Sequence, residues 1–229
     1  MAASNASVHS NDVSLVIERS PGFEAYLPDA RQATADLYDL VTKNGRIKTI
    51  SAGDPAQKVA DFGETRLRFI SQSLQGVPSA QWKMAAAIRM AGDELLTSVS
   101  GARRAIVLFT TGSLGGSPFT PYSLTELAAF LRNNSIALYP VTFGSKATSE
   151  ELEYLASESG GKVFDAFGPG GMRDVVRELG SRVIPTYTIR YNSPTPPRFG
   201  DAYIPFEVEV EVQKTSGRDE SGYYAPPTP

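Results

Sequence analysis

The stretch Arg104–Thr111, RAIVLFTT, narrows the possible folds more than any other part of the chain. The uninterrupted run Ala105 to Phe109 cannot alternate between a wet face and a dry one. It suits a strand covered on both sides, as in a parallel sheet held between helix layers. The run stops at Thr111-Gly112, so the strand delivers its end to a small polar turn. Val13–Ile17 is an earlier run of the same kind, and it breaks at Glu18-Arg19-Ser20-Pro21-Gly22.

Between these runs the hydrophobic period becomes helical. The spacing predicts a helix over Ala25–Val41, with Leu27, Ala30, Ala33, Leu37 and Leu40 inward and Asn44-Gly45 stopping it. Arg46–Ser51 and Gln57–Asp61 read as short strands, and the turn Gly53-Asp54-Pro55 between them predicts an antiparallel edge hairpin. Glu64–Gln75 reads as a helix with Leu67, Ile70 and Leu74 on one face. A longer helix is expected over Ser79–Ser98, with Ser79 as its N-cap. Ser123 and Glu126 are spaced for a capping box on a helix running to Asn133. Ile136–Phe143 and Lys162–Phe164 read as strands, Ser149–Ser159 and Met172–Val183 as helices.

After Pro185 the pattern turns β-rich. Thr186–Tyr191 and Tyr203–Val212 are expected to pair antiparallel as a hairpin added to the sheet. Within the second, Glu207, Glu209 and Glu211 alternate with Val208, Val210 and Val212. The expected organisation is one α/β domain over 13–212, preceded by a loose tail over 1–12 and followed by a loosely ordered tail over 213–229.

Composition removes several classes of chemistry. Zero cysteines exclude thiol nucleophiles, disulfides and thiolate metal sites. The single histidine, His9, lies in the Ser/Asn-rich stretch before the first strand, so a Ser-His-Asp arrangement would have to recruit that residue. A net charge of -3 and no basic cluster longer than Arg103-Arg104 argue against binding nucleic acid or anionic lipid. No stretch has the apolar length of a membrane span, so membrane insertion is not expected. Thr110 to Gly116 lacks both the lysine of a phosphate-binding loop and the glycine spacing of a dinucleotide fingerprint, and reads as a loop. Trp82, beside Met84 and Ala85 to Ala87, either packs a helix on the sheet or forms an aromatic lip.

The string RRAIVLFTTGS, then a helix, then IALYPVTFG and SEELEYLASESGGKVFDA, resembles the second half of a von Willebrand factor A (VWA) domain. SLVIERSPGFEAY and ARQATADLYDLV are similar to its first half. The ending, YTIRYNSP, a charged strand and SGYYAP, resembles a VWA-related branch best known from acidobacteria. This resemblance implies a doubly wound, Rossmann-like α/β fold: a three-layer sandwich with a mostly parallel central sheet and the C-terminal antiparallel hairpin. An extracytoplasmic setting is likewise implied by the branch.

VWA domains often hold Mg²⁺ in a metal-ion-dependent adhesion site (MIDAS). It is built from Asp-x-Ser-x-Ser after the first strand, a Thr in a middle loop and an Asp after the fourth strand. These oxygens leave one position of the ion open for a partner's acidic residue. Carried onto this chain, the positions are Glu18, Ser20 and Gly22, with Ser79 for the Thr and Thr111 for the last Asp. Glu18 has a longer arm, Gly22 supplies no side-chain oxygen, Thr111 is neutral and Arg19 adds a positive charge. The site is therefore expected to be degenerate, with no cofactor beyond weakly held Mg²⁺ or Mn²⁺.

The function implied is non-catalytic recognition of a protein partner through loops 18–26, 76–82, 111–122 and 144–149. Arg19, Pro21, Gly22, Trp82, Gly112 and Ser113 are the expected contact residues. Two rival classes stand beside it. One is a Mg²⁺- or Mn²⁺-dependent adhesion module using Glu18, Ser20 and Thr111. The other is a hydrolase or small-ligand protein with Glu18, Asp54 or Asp165 as general base, which would need a second converging acid.

Overall fold

The computed structural model describes residues 11–97, 102–113, 119–144, 148–181, 204–212 and 215–223. By internal contacts it divides into two units, residues 1–184 and 185–229.

In the first unit, six strands form one sheet: β1 (Asn11–Glu18), β2 (Gly45–Ala52), β3 (Gln57–Ala60), β4 (Arg103–Thr110), β5 (Ile136–Thr142) and β6 (Phe164–Asp165). Their order is β3-β2-β1-β4-β5-β6. All neighbours run parallel except β3, which turns back antiparallel on β2 as the Gly53-Asp54-Pro55 turn predicts. The helices are α1 (Leu27–Val41), α2 (Arg66–Ser73), α3 (Met84–Leu96), α4 (Leu124–Asn133), α5 (Glu150–Ser159) and α6 (Met172–Ser181).

The apolar runs have their cause here. Val13, Leu15 and Ile17 of β1, with Ala105, Val107 and Phe109 of β4, pack on the face covered by α1, α6 and Phe69 of α2. Val16, Ile106, Leu108 and Leu138 point to the opposite face, against Ile88, Leu127, Leu131 and Leu155 of α3, α4 and α5. Successive strand residues alternate between two dry layers, so these runs are apolar except at Ser14, which is buried in β1. This is the three-layer α/β sandwich expected, with β1 at its centre.

The chain leaves β1 for β2 on one flank and returns through β4 on the other. The carboxyl ends of β1 and β4 therefore border a crevice where the winding reverses, the place at which open α/β sheets gather ligands. Register brings Ile17 opposite Phe109, so Glu18 ends level with Thr110.

Local signals fix several boundaries. Ser123 accepts from the Glu126 amide, and the Glu126 carboxylate accepts from the Ser123 amide at 2.9 Å, completing the capping box. Ser149 caps α5, and Gly160 ends it at φ 78°.

Other expectations give way to tertiary contacts. β1 begins at Asn11, inside the stretch read as tail, because Asp12 is buried and bridges to Arg46 at 2.6 Å. α3 begins at Met84, not Ser79: the Ser79 amide donates to the Arg19 carbonyl (2.7 Å) and the Lys83 amide to the Gly53 carbonyl (3.1 Å), which holds 79–83 as a loop. Leu67 is 80% exposed, and α2 buries Phe69 and Ile70 in its place.

The second unit corrects the C-terminal reading. Ile204–Val212 (β7) pairs antiparallel with Thr215–Tyr223 (β8), as a separate two-stranded sheet. The stretch 215–223 was expected as a loose tail, and its lack of apolar alternation hid a strand defined by pairing. Arg218 meets Glu207 across this ribbon at 2.5 Å and Glu220 along its own strand at 3.1 Å. The other expected strand, Thr186–Tyr191, lies outside the described residues. Among the described residues no helix is long and apolar enough to cross a membrane.

Candidate functional site

The crevice at the ends of β1 and β4 is built around one buried carboxylate. Glu18 closes β1 and is 1% exposed. Its Oε2 accepts from the Thr110 hydroxyl at 2.6 Å and from the Thr111 amide at 2.8 Å. Its Oε1 accepts from the Thr111 hydroxyl at 3.1 Å and from the Ser20 hydroxyl. Three hydroxyls and one backbone amide thus converge on a single carboxylate, and all four donors are neutral.

Each hydroxyl is anchored a second time. Ser20 Oγ accepts from the Phe23 amide (3.2 Å), Thr110 Oγ1 from the Gly112 amide (3.1 Å) and Thr111 Oγ1 from the Ser113 amide (3.4 Å). Gly112 takes φ 79°, which lets the chain turn sharply after β4. The extra methylene of glutamate lets the carboxylate reach from β1 to the end of β4 and tie the two strand ends together.

Above this floor is a cavity of about 340 Å³. Its polar lining is Glu18, Ser20, Thr111 and Ser113, and its aromatic lining is Tyr26, Trp82 and Phe143, with Gly22, Ala80 and Gly144 completing it. Phe143 stacks edge-on against Phe23 and Phe109, at 5.4 Å and 5.1 Å between centroids, so this wall is braced from behind. Gly144 has φ 119°, and a Cβ there would come within 2.6 Å of the Tyr26 hydroxyl. Only glycine lets Tyr26 lean over the rim.

The sequence-derived residues fall into three groups. Glu18, Ser20 and Thr111 come together as one network, and Gly22, Trp82 and Ser113 line the same cavity. Trp82 is both readings at once: 2% exposed, it packs among Ile50, Ala52 and Met84 while facing the mouth. Ser79 stands outside the network, its hydroxyl accepting from the Gln81 amide at 3.2 Å. Pro21 is exposed beside the mouth and Gly112 is buried beneath it.

Arg19 departs from the expected contact residues. It is 1% exposed, and its guanidinium donates to the Leu74 carbonyl, with Glu24 at 3.9 Å. Burial pulls its pKa below the ordinary arginine value, against the opposing attraction of Glu24. The charge that the sequence places beside the site is turned away from it. Thr110 and Phe143 are site residues that sequence reasoning missed, and Tyr26 entered it only as the last residue of loop 18–26. A second hydroxyl at the end of β4 was the available sign of Thr110, while the two rings come from separate loops that only the fold brings together.

As a cation cage this set is poor. It offers one carboxylate whose two oxygens are already engaged by four donors, where a dication needs several free hard oxygens. Among the described residues no group of three or more His, Cys, Asp and Glu side chains gathers anywhere. Glu18 is also the single acid of the described cavity lining; Asp54 sits against Lys83 at 3.8 Å, and Asp165 accepts from the Phe167 amide at 2.9 Å.

A mostly parallel α/β sandwich with a crevice at its central strand ends defines the class of fold. Comparison with solved structures gives the particular one: the chain has the VWA fold. The VWA domain of SpRpn10 superposes with a TM-score of 0.58 at 16% identity, over 76% of this chain and 98% of that one. A von Willebrand factor type A protein from Catenulispora acidiphila gives 0.61 at 16% identity, over 95% of this chain and 56% of that one. Proximal thread matrix protein 1 from the mussel byssus, with a zinc-occupied MIDAS motif, gives 0.59 at 15%, over 76% and 46%. No family model matches the sequence, and no curated protein matches it either.

Proposed function

We propose that this chain is a non-catalytic recognition domain which holds a protein partner at the loops around Glu18, without a tightly bound metal. The observation that carries the reading is the Glu18 network: a carboxylate at the strand-end crevice whose four hydrogen bonds all come from neutral protein groups. A dication would have to break bonds already made there, with one carboxylate to offer in return. Catalysis would need a second acid or base in the cavity, and its described lining offers Glu18 alone. Loops 18–26, 76–82, 111–122 and 144–149 supply the recognition surface. Residues 114–118 and 145–147 of that set lie outside the described residues.

Two measurements test this. Chelator-stripped protein titrated calorimetrically with Mg²⁺ and Mn²⁺ is expected to give no binding heat and an unchanged melting temperature in excess metal. Saturable binding that disappears in Glu18→Ala would overturn the metal-free reading in favour of a metal-dependent adhesion module. For the partner, a photo-crosslinking amino acid placed at Ser113 is expected to capture a discrete protein adduct in cells of the source organism. The same group at Lys43, exposed before β2 at the opposite pole of the sheet, is expected to capture none.

A further inference from the structure

We infer that the cavity above Glu18 is a socket for a lysine side chain of the partner protein, the opposite charge preference from a metal-bearing mouth. The inference rests on the recognition reading above and adds the chemistry of the group recognised. Three observations carry it.

The first concerns the direction of protons. An ionised carboxylate only accepts hydrogen bonds, and a serine or threonine hydroxyl has one proton to give. Ser20 and Thr111 both spend that proton on Glu18. What they turn toward the cavity is lone pairs, so the floor can accept and cannot donate. A carboxylate, phosphate or sulfate reaching that floor would meet the lone pairs of Ser20 and Thr111 and the charge of Glu18, with the Ser113 and Tyr26 hydroxyls as donors only higher in the cavity. An ammonium group would meet the partners it needs.

The second is uncompensated charge. Among the described residues, Glu18 is buried with no cation bonded to it and no basic residue lines the cavity. Arg19, the adjacent cation, is committed to the Leu74 carbonyl and Glu24 on the other side. In a partly dry crevice an unscreened negative charge favours a cation strongly.

The third is the wall. Tyr26, Trp82 and Phe143 surround the floor with rings, suited to a methylene stem and to cation–π attraction on its head. The shape of the acceptors selects lysine over arginine. Both oxygens of Glu18 are engaged, so no open carboxylate edge remains for a planar guanidinium fork. Separate hydroxyl lone pairs suit a compact ammonium with three rotatable donors.

Trp82 is the only tryptophan of the chain, so its fluorescence reports on this cavity alone. The probes are Nα-acetyl-lysine N-methylamide, its Nε-acetylated form, and the equivalent blocked arginine and blocked glutamate, titrated into the whole chain. The expected result is a saturable Trp82 change with blocked lysine at millimolar concentration, at least about tenfold weaker for each of the other three. Glu18→Gln, which removes the charge and forces a donor among the hydroxyls, is expected to abolish the response. Ser20→Ala, at the rim of the network, is expected to weaken it severalfold with the melting temperature nearly kept, which keeps the test meaningful if Glu18→Gln fails to fold.

No saturable change with lysine, an equal change with the acetylated form, or a preference for arginine would each overturn the proposal. Its failure is separable from that of the recognition reading. An adduct at Ser113 without any lysine response overturns the socket alone, whereas a lysine response with no adduct supports the socket and overturns the protein-partner reading.

Discussion

At Glu18 one methylene group sets how far the carboxylate reaches into the mouth. The longer arm lets the carboxylate collect the hydroxyls of Ser20, Thr110 and Thr111, the kind of ligand a cation would otherwise take. Shortening that arm and restoring the missing oxygens should reverse the outcome. The triple variant E18D/G22S/T111D is expected to bind Mg²⁺ saturably by calorimetry, and the parent is expected to give no heat. Position 22 has room for it, since the nearest atom to an added Cβ is the Ser20 hydroxyl at 3.6 Å. Arg19 poses a different question, because its Nε and Nη1 have no hydrogen-bond partner despite burial. Its worth lies in the volume it fills more than in its charge. Arg19→Met is expected to change unfolding free energy by less than about 1 kcal/mol, and Arg19→Ala to cost about 2–4 kcal/mol, read from urea unfolding. Glu18, Ser20 and Thr111 were legible in the sequence because they follow apolar runs that stop abruptly. Phe143 was not, since it looks like ordinary core until the loops meet, and Tyr26 was legible only as part of loop 18–26.

Between elements, an ion cluster ties β2, β3 and α3 together. Lys48 and Lys58 both reach the Glu94 carboxylate, at 2.9 Å and 3.1 Å, and Lys58 also holds Asp61 at 2.8 Å. Burial works against the charged form of Glu94, but hydrogen bonds from the two lysines prevail and keep its pKa below the ordinary 4.5. The bond from Lys58 lowers Asp61 below 3.8 in the same way. Groups with depressed folded values stabilise the fold above their unfolded values and lose that contribution as pH falls through the folded ones. The melting temperature is therefore expected to decline as pH drops below about 4.5, and Glu94→Gln should flatten that decline. A separate constraint sits where α5 meets β5: a Cβ on Gly161 would come within 1.7 Å of the Leu138 carbonyl oxygen. The obstacle is backbone, so Gly161→Ala is expected to cost more than about 2 kcal/mol in the same urea assay. Helix ends with local chemistry, such as Ser123 with Glu126 and Ser149 with Gly160, could be read from sequence. The start of α3 could not, because the contacts that delay it come from Arg19 and Gly53, remote in the chain. β8 was hidden for a similar reason, its strand being set by register against β7.

For the whole molecule, topology is the source of the site. Reversal of winding beside β1 opens the crevice, and the side chains then decide what it accepts. The first unit carries both of the hydrophobic layers that enclose its sheet, so a chain ending at Ile184 is expected to keep a cooperative thermal transition. Calorimetric melting would check it, and a broad, non-cooperative curve would contradict it. The margins of that sheet have a consequence of their own. Among the described residues, one side ends in β3, four residues long with Gln57 and Lys58 exposed, and the other in β6, two residues long. Margins this brief and this polar give an incoming strand almost nothing to zip onto. Crowded copies of this sheet can therefore press close without fusing edge to edge into a continuous ribbon.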